Sequence, residues 1–242
     1  MSVRKPYAVW DAPTRAFHWI NLLCVLLLVA LGTTILNGKS LGISNDGKVL
    51  LKTLHVWVGY AFILNLLVRI GWAFAGNHYA RWAQWLPLGR SFAAQWRQWR
   101  ASRGTAALEF AGHTPPGRIA IGAMLLLMIS QSTTGLLLAG TDLYYPPFGS
   151  WIAEWIAAPG VDPATLVPYQ PDLVDAAAVS EMRAMRKPYA QFHVWGFYAL
   201  LAAVAVHLAG VIWAERRHGS ALVSAMITGR KWLASDPVDP KP

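Results

Sequence analysis

Four blocks of nearly unbroken apolar character, roughly 17–36, 53–75, 118–139 and 190–214, constrain this chain more than any other feature. A bilayer core about 30 Å thick is crossed by about 20 mostly apolar helical residues, and each block reaches that length. Composition agrees where it matters: 55% of the 242 residues are apolar and only 14% charged, which excludes a disordered chain and argues against an ordinary soluble domain. The expectation is an all-α integral membrane four-helix bundle, residues 1–242 forming one transmembrane domain. The first block starts after sixteen residues without a small-residue cleavage site, so it reads as a retained anchor.

Charge sets the expected orientation. The segments 1–16, 76–116 and 215–242 together hold 13 Lys/Arg against five Asp/Glu, whereas 37–52 and 140–189 hold six against seven. The positive-inside bias places both termini in the cytoplasm. A net charge of +9 is therefore a topology signal, and no compact basic domain exists to bind nucleic acid. The single cysteine, Cys24, excludes an intrachain disulfide and any multi-cysteine iron–sulfur or zinc site.

Two connecting segments carry patterns of their own. Phe92, Trp96 and Trp99 fall at helical spacing with Arg97, Arg100 and Arg103 interleaved, which predicts an amphipathic helix on the cytoplasmic leaflet. The outer loop 140–189 is longer than a bare connector. Its Trp151, Ile152, Trp155 and Ile156 form a short apolar face suited to the outer interface or to a partner protein.

Of seven histidines, four fall at or inside span boundaries: His18, His55, His193 and His207. Ionisable residues in a bilayer are costly and mark function by default. His193 and His207 are 14 residues apart, about 21 Å along one helix and within about 40° of the same face. His18 opens its span at the inner level of His207, and His55 opens its span at the outer level of His193. Two stacked pairs result, His18 with His207 and His55 with His193. Facing neutral imidazoles in a helix bundle are a means of holding haem iron. Gly59 and Gly196, with Gly32 and Gly210, offer side-chain-free space for a macrocycle or simply close helix packing.

Arg69 lies 14 residues after His55 and reads either as a partner for an inner haem propionate or as a snorkelling side chain. Arg183, Arg186 and Lys187 read as outer propionate partners or a docking patch. His78 and His218 read as solvated interface residues. His113, before the third span, reads as a proton-handling residue near a quinone pocket, and Ser130 to Thr134 form a polar centre of the third span that reads either as hydrogen-bonding between helices or as touching a cofactor.

These residues resemble a known family. The run Tyr7 to Trp19 (YAVWDAPTRAFHW), the run Leu54 to Tyr60 (LHVWVGY), and Arg69 to Arg81 (RIGWAFAGNHYAR) resemble the first two helices of the cytochrome b subunits of membrane-bound nickel–iron hydrogenases. Gly112-His113-Thr114-Pro115, the histidines 14 apart and Ser224 to Gly229 complete the likeness, and the histidine geometry is shared with the gamma subunit of formate dehydrogenase. Ala190 departs from the pattern, standing where such subunits often carry a further histidine.

The resemblance implies two b-type haems with bis-histidine ligation by His18, His55, His193 and His207. It implies a quinone site near the inner haem, with Arg15, His113 and Arg118 as candidates. The function it implies is electron transfer in the bacterial inner membrane between the quinone pool and a periplasmic redox partner, a nickel–iron hydrogenase or a c-type cytochrome. Two other readings remain at this point: a stand-alone oxidoreductase acting on superoxide or a ferric chelate, and a metal-ion carrier. The second fits poorly with spans that hold no Asp or Glu.

Overall fold

A computed structural model of the chain describes residues 4–102, 108–218 and 222–239. In chain order the elements are strand β1 (Lys5–Ala8), helices α1 (Ala12–Leu36), α2 (Asn45–Ala75), α3 (Trp82–Trp85), α4 (Gly89–Ala101), α5 (Pro115–Leu143), α6 (Gly149–Ile156), α7 (Ala176–His218) and α8 (Leu222–Thr228), and strand β2 (Arg230–Leu233). The four apolar blocks lie in α1, α2, α5 and α7, the helices long and apolar enough to cross a membrane. Leu126 is 69% exposed and Trp195 72%, which places large apolar side chains where a lipid solvent favours them. Arg103, expected to extend the amphipathic stretch of α4, lies outside the described residues, as does the side chain of His218.

Each long helix starts earlier than its apolar block because a polar side chain caps it. Asp11 Oδ1 accepts the Thr14 amide at 3.0 Å, and Ser44 Oγ accepts the Gly47 amide at 3.1 Å. Thr114 Oγ1 accepts the Gly117 amide at 3.3 Å, and Asp175 Oδ1 accepts the Ala178 amide at 2.8 Å. Such caps satisfy otherwise orphaned N–H groups and are each worth about 1 kcal/mol. The largest extension is in α7, whose first turns over Ala176–Tyr189 carry Glu181, Arg183, Arg186, Lys187 and Pro188.

The chain divides into two compact units, Met1–Asn21 with Asn65–Leu126 and Leu200–Pro242, and Leu22–Leu64 with Leu127–Ala199. In the first unit β1 pairs antiparallel with β2, Lys5 opposite Leu233 and Ala8 opposite Arg230. This small sheet was not part of the all-α expectation. Gly229 enters β2 at φ +78°, where a Cβ would meet the Trp10 carbonyl oxygen at 2.5 Å. Its own carbonyl accepts the amides of Val9 and Trp10. Val9, Tyr79, Ala111 and Leu233 form the buried apolar cluster beside this joint.

Lys231, on β2, is only 5% exposed. Its Nζ donates to the carbonyls of Phe110, Ala111 and Gly112 at 2.9, 3.1 and 2.8 Å. Asp239 accepts the amides of Ala111 and Gly112 from the other side, at 2.8 and 2.6 Å. Burial pushes the lysine down to about 8, against the opposing pull of Asp239 and Glu109. The carboxy-terminal segment thus grips the turn that presents His113.

In the second unit, α6 buries Ile152, Ala153 and Ile156 against Leu166 and Met182. Trp151 and Trp155 on the same helix remain 65% and 40% exposed. The expected single apolar face is therefore divided between an internal core and an outward aromatic pair. Asp142 bridges Lys52 at 2.7 Å and Arg186 at 2.8 Å, joining α2, α5 and α7.

Candidate cofactor site

In the second unit His55 projects from α2 and His193 from α7, with ring centres 6.3 Å apart and planes at 73°. A metal–imidazole bond is about 2 Å and the ring centre lies about 1 Å beyond the bonded nitrogen, so two rings sharing one ion stand about 6 Å apart. The pair has that spacing. His55 Nδ1 is buried without a hydrogen-bond partner, while His193 Nδ1 lies 2.9 Å from Thr134 Oγ1.

Glycines on the neighbouring helices make room for these rings. A Cβ at Gly32 on α1 would sit 3.3 Å from His55 Cε1, and one at Gly135 on α5 would sit 3.4 Å from His193 Cε1. Gly59 has nothing within 4 Å of its absent Cβ, in keeping with space beside the site. Gly196 serves another purpose here. A Cβ there would collide with the Gln131 amide, which donates to the His193 carbonyl at 3.0 Å. Sequence reasoning missed Gly135 as a neighbour of His193, whereas Gln131 and Thr134 belong to the polar run of the third span that read as bonding between helices or touching a cofactor.

In the first unit His18 lies on α1 and His207 on α7. His18 Nδ1 is buried without a partner. Asn65 Nδ2 holds the adjoining Phe17 carbonyl at 3.1 Å. The unpartnered Nδ1 of His18 and the open space at Gly210 suit a group bound beside these imidazoles.

The surrounding cations have specific occupations. Arg69 donates to the Ala80 carbonyl at 3.1 Å and lies over the Trp85 ring at 4.9 Å, which uses one edge of its guanidinium. Arg15 donates through Nη1 to the Ile227 carbonyl at the end of α8, while its Nε is buried without a partner. Arg118 is 1% exposed, and its donors reach the carbonyls of Leu86 at 3.1 Å and Ala83 at 2.8 Å and the Gln95 Oε1 at 3.0 Å. Its face rests on Phe92, so it ties α5 to α3 and α4. Arg186, with its Asp142 partner, is likewise engaged.

His113 packs on Trp10 with ring centres 4.6 Å apart, and its Nδ1 is buried without a partner. Burial, then the positive charges of Lys231, Arg69 and Arg118 and the nearby His207, push it down to about 3. It is a neutral imidazole at any physiological pH. His78, expected to be solvated, is half-buried against Tyr79 with Nε2 away from solvent, because Asn77 caps the turn that carries it.

Facing imidazoles on membrane-length helices are the arrangement of the b-type membrane cytochromes. The chain belongs to the prokaryotic cytochrome b561 family, whose model matches residues 9–229. It is 30% identical over 153 residues to the "Probable Ni/Fe-hydrogenase 1 B-type cytochrome subunit" of Escherichia coli K12, covering 58% of this chain and 63% of that protein. The chain thus spans a little under two thirds of that relative. A "Probable Ni/Fe-hydrogenase B-type cytochrome subunit" of Azotobacter chroococcum is 32% identical over 169 residues, 64% of this chain and 69% of its own. One of Bradyrhizobium diazoefficiens is 24% identical over 248 residues, covering 94% and 87%. Family membership implies b-type haem and makes the chain a bacterial multi-pass membrane protein.

Proposed function

We propose that this chain is the membrane cytochrome b subunit of a nickel–iron hydrogenase, holding two b haems and carrying electrons between the hydrogenase at the outer face and quinone in the bacterial inner membrane. The single observation that carries the reading is the His55–His193 pair, whose 6.3 Å ring separation suits one shared iron. His18 and His207 form the second pair, on the inner side. The relatives' names supply the hydrogenase, and the excess of Lys/Arg in the segments assigned to the cytoplasm supplies the orientation.

Haem iron bound by two imidazoles exchanges single electrons without changing ligands, and that is the chemistry the group supplies. The chain's part is to hold and tune. His18, His55, His193 and His207 present neutral imidazole nitrogens, while Gly32 and Gly135 let two of the rings seat against neighbouring backbone. On the inner side His113, kept neutral, offers a hydrogen bond to a quinone oxygen. Arg15 and the free edge of Arg69 bring positive charge to stabilise a reduced quinone or a propionate. Arg118 holds α3 and α4 in place around that region.

On the outer side the exposed Trp151 and Trp155 of α6 give the docking surface for the hydrogenase. On the inner side α4 lies along the lipid headgroups. Its Phe92, Trp96 and Trp99 rings form a continuous row, with centres 5.9 and 5.4 Å apart.

The test uses membranes that contain the chain together with its hydrogenase. Hydrogen gas is expected to reduce the b-haem absorbance, and added oxidised quinone to reoxidise it. Haem that hydrogen cannot reduce, but that a c-type cytochrome reduces, would replace the hydrogenase as the partner.

A further inference from the structure

His193 is held differently from His18 and His55. The Nδ1 atoms of the latter two are buried without partners, whereas His193 Nδ1 lies 2.9 Å from Thr134 Oγ1 on α5. A histidine–hydroxyl contact is ambiguous by itself, since either atom can be the donor. The hydroxyl's other contacts favour one assignment. Thr134 Oγ1 also lies 2.8 Å from the Ser130 carbonyl one turn earlier, and 3.3 Å from the Gln131 carbonyl. Both are oxygens that only accept, so the hydroxyl's single proton is directed along α5. Its lone pairs face His193, and the hydrogen between the two side chains belongs to Nδ1.

A neutral imidazole carries one N–H. With that hydrogen on Nδ1, Nε2 is a bare lone pair, the form in which an imidazole binds iron. The opposite assignment would put a hydrogen on Nε2 and prevent ligation through that atom. The same helix fixes the ring in two further ways. Gln131 donates to the His193 carbonyl at 3.0 Å, using the space left by Gly196, and Gly135 lets Cε1 approach its backbone. Thr134 and Gln131 are three residues apart and so share one face of α5.

We infer that Thr134 is a positioning residue for the outer haem, fixing the Nδ1–H tautomer of His193 and strengthening electron donation from its Nε2. This rests on the reading of His193 as an iron ligand. A hydrogen bond accepted from Nδ1–H raises the basicity of the other ring nitrogen and favours the oxidised metal. Its loss therefore raises the potential of the affected haem, and it weakens haem binding by about tenfold or more.

The experiment compares Thr134→Val, Thr134→Ala and Thr134→Ser in the full chain, with haem content from the pyridine haemochrome spectrum and potentials from a redox titration. Valine keeps the shape and removes the acceptor, alanine removes it without a branched side chain, and serine retains it. The expected result is that valine and alanine raise the potential, or cause loss, of the haem that His193→Ala also removes. Serine behaves as wild type, and the other haem does not move. Unshifted potentials with full haem content in the valine and alanine variants would overturn the role of Thr134 while leaving the ligand reading intact. A serine variant that moves with valine would also overturn it, because packing of the methyl group would then be responsible. Haem content equal in the His193→Ala variant and the wild type would overturn the ligand reading itself.

Discussion

The imidazole rings of His55 and His193 face each other at 6.3 Å between centres, on helices α2 and α7. The sequence separates them by 138 positions, and only the folding of two long apolar helices brings them together.

Removing a ligand should remove one haem of two. His55→Ala or His193→Ala is expected to halve the haem content and leave the inner signal; His18→Ala or His207→Ala should leave the outer one. Electron paramagnetic resonance of the oxidised variants distinguishes the survivors. Loss of the same signal in the His55 and His207 variants would refute the pairing.

Lys231 should matter to stability more than a terminal lysine usually does. Lys231→Met strands three carbonyls and removes the cation opposite Asp239, a cost of about 3 kcal/mol by analogy with breaking a buried charged pair. A lowered thermal midpoint, with haem ligands untouched, is the expected observation. An unchanged midpoint would mean the carboxy-terminal segment contributes no hold on the 110–112 turn.

Acid should weaken the fold through His113. Its folded value is about 3, while an unfolded histidine titrates near 6.5. Between these the unfolded chain takes up a proton that the folded chain refuses, so stability present above about 6.5 is lost as pH falls toward 3. His113→Gln should flatten this part of the stability profile, measured by denaturation of the detergent-solubilised protein from pH 7 to 4. A wild-type profile that is flat over that range would contradict the burial of the ring.

Asp142 should be needed to hold its two cations. Asp142→Ala leaves Lys52 and Arg186 facing each other without their shared carboxylate, at a cost of about 3 kcal/mol. Because both side chains are largely shielded, the loss should persist in high salt, where a surface ion pair would already be screened. Equal stability of variant and wild type in high salt would show the bridge to be a surface one.

The helices were legible because lipid demands long apolar runs, and the histidines stood out because lipid penalises them. The starts of the helices were less so. Asp11, Ser44, Thr114 and Asp175 are capping residues placed ahead of each apolar block, and a reading by apolarity alone passes over them. The β1–β2 pair had no local signal at all, since each strand has four residues and its partner lies at the other end of the chain. Nothing in the sequence marks Lys231 or Arg118 as a buried cation serving carbonyls, because those carbonyls come from distant turns. Gly196 read either as space for a macrocycle or as close helix packing, and its space is taken by Gln131, whose reach across helices no spacing rule reveals.

The haem content of the purified full chain is the most direct test of the account. The pyridine haemochrome spectrum is expected to give about two b haems per chain. No haem in a chain whose helices are intact would contradict it, and one haem unaffected by His18→Ala or His207→Ala would leave the inner pair without its assigned role.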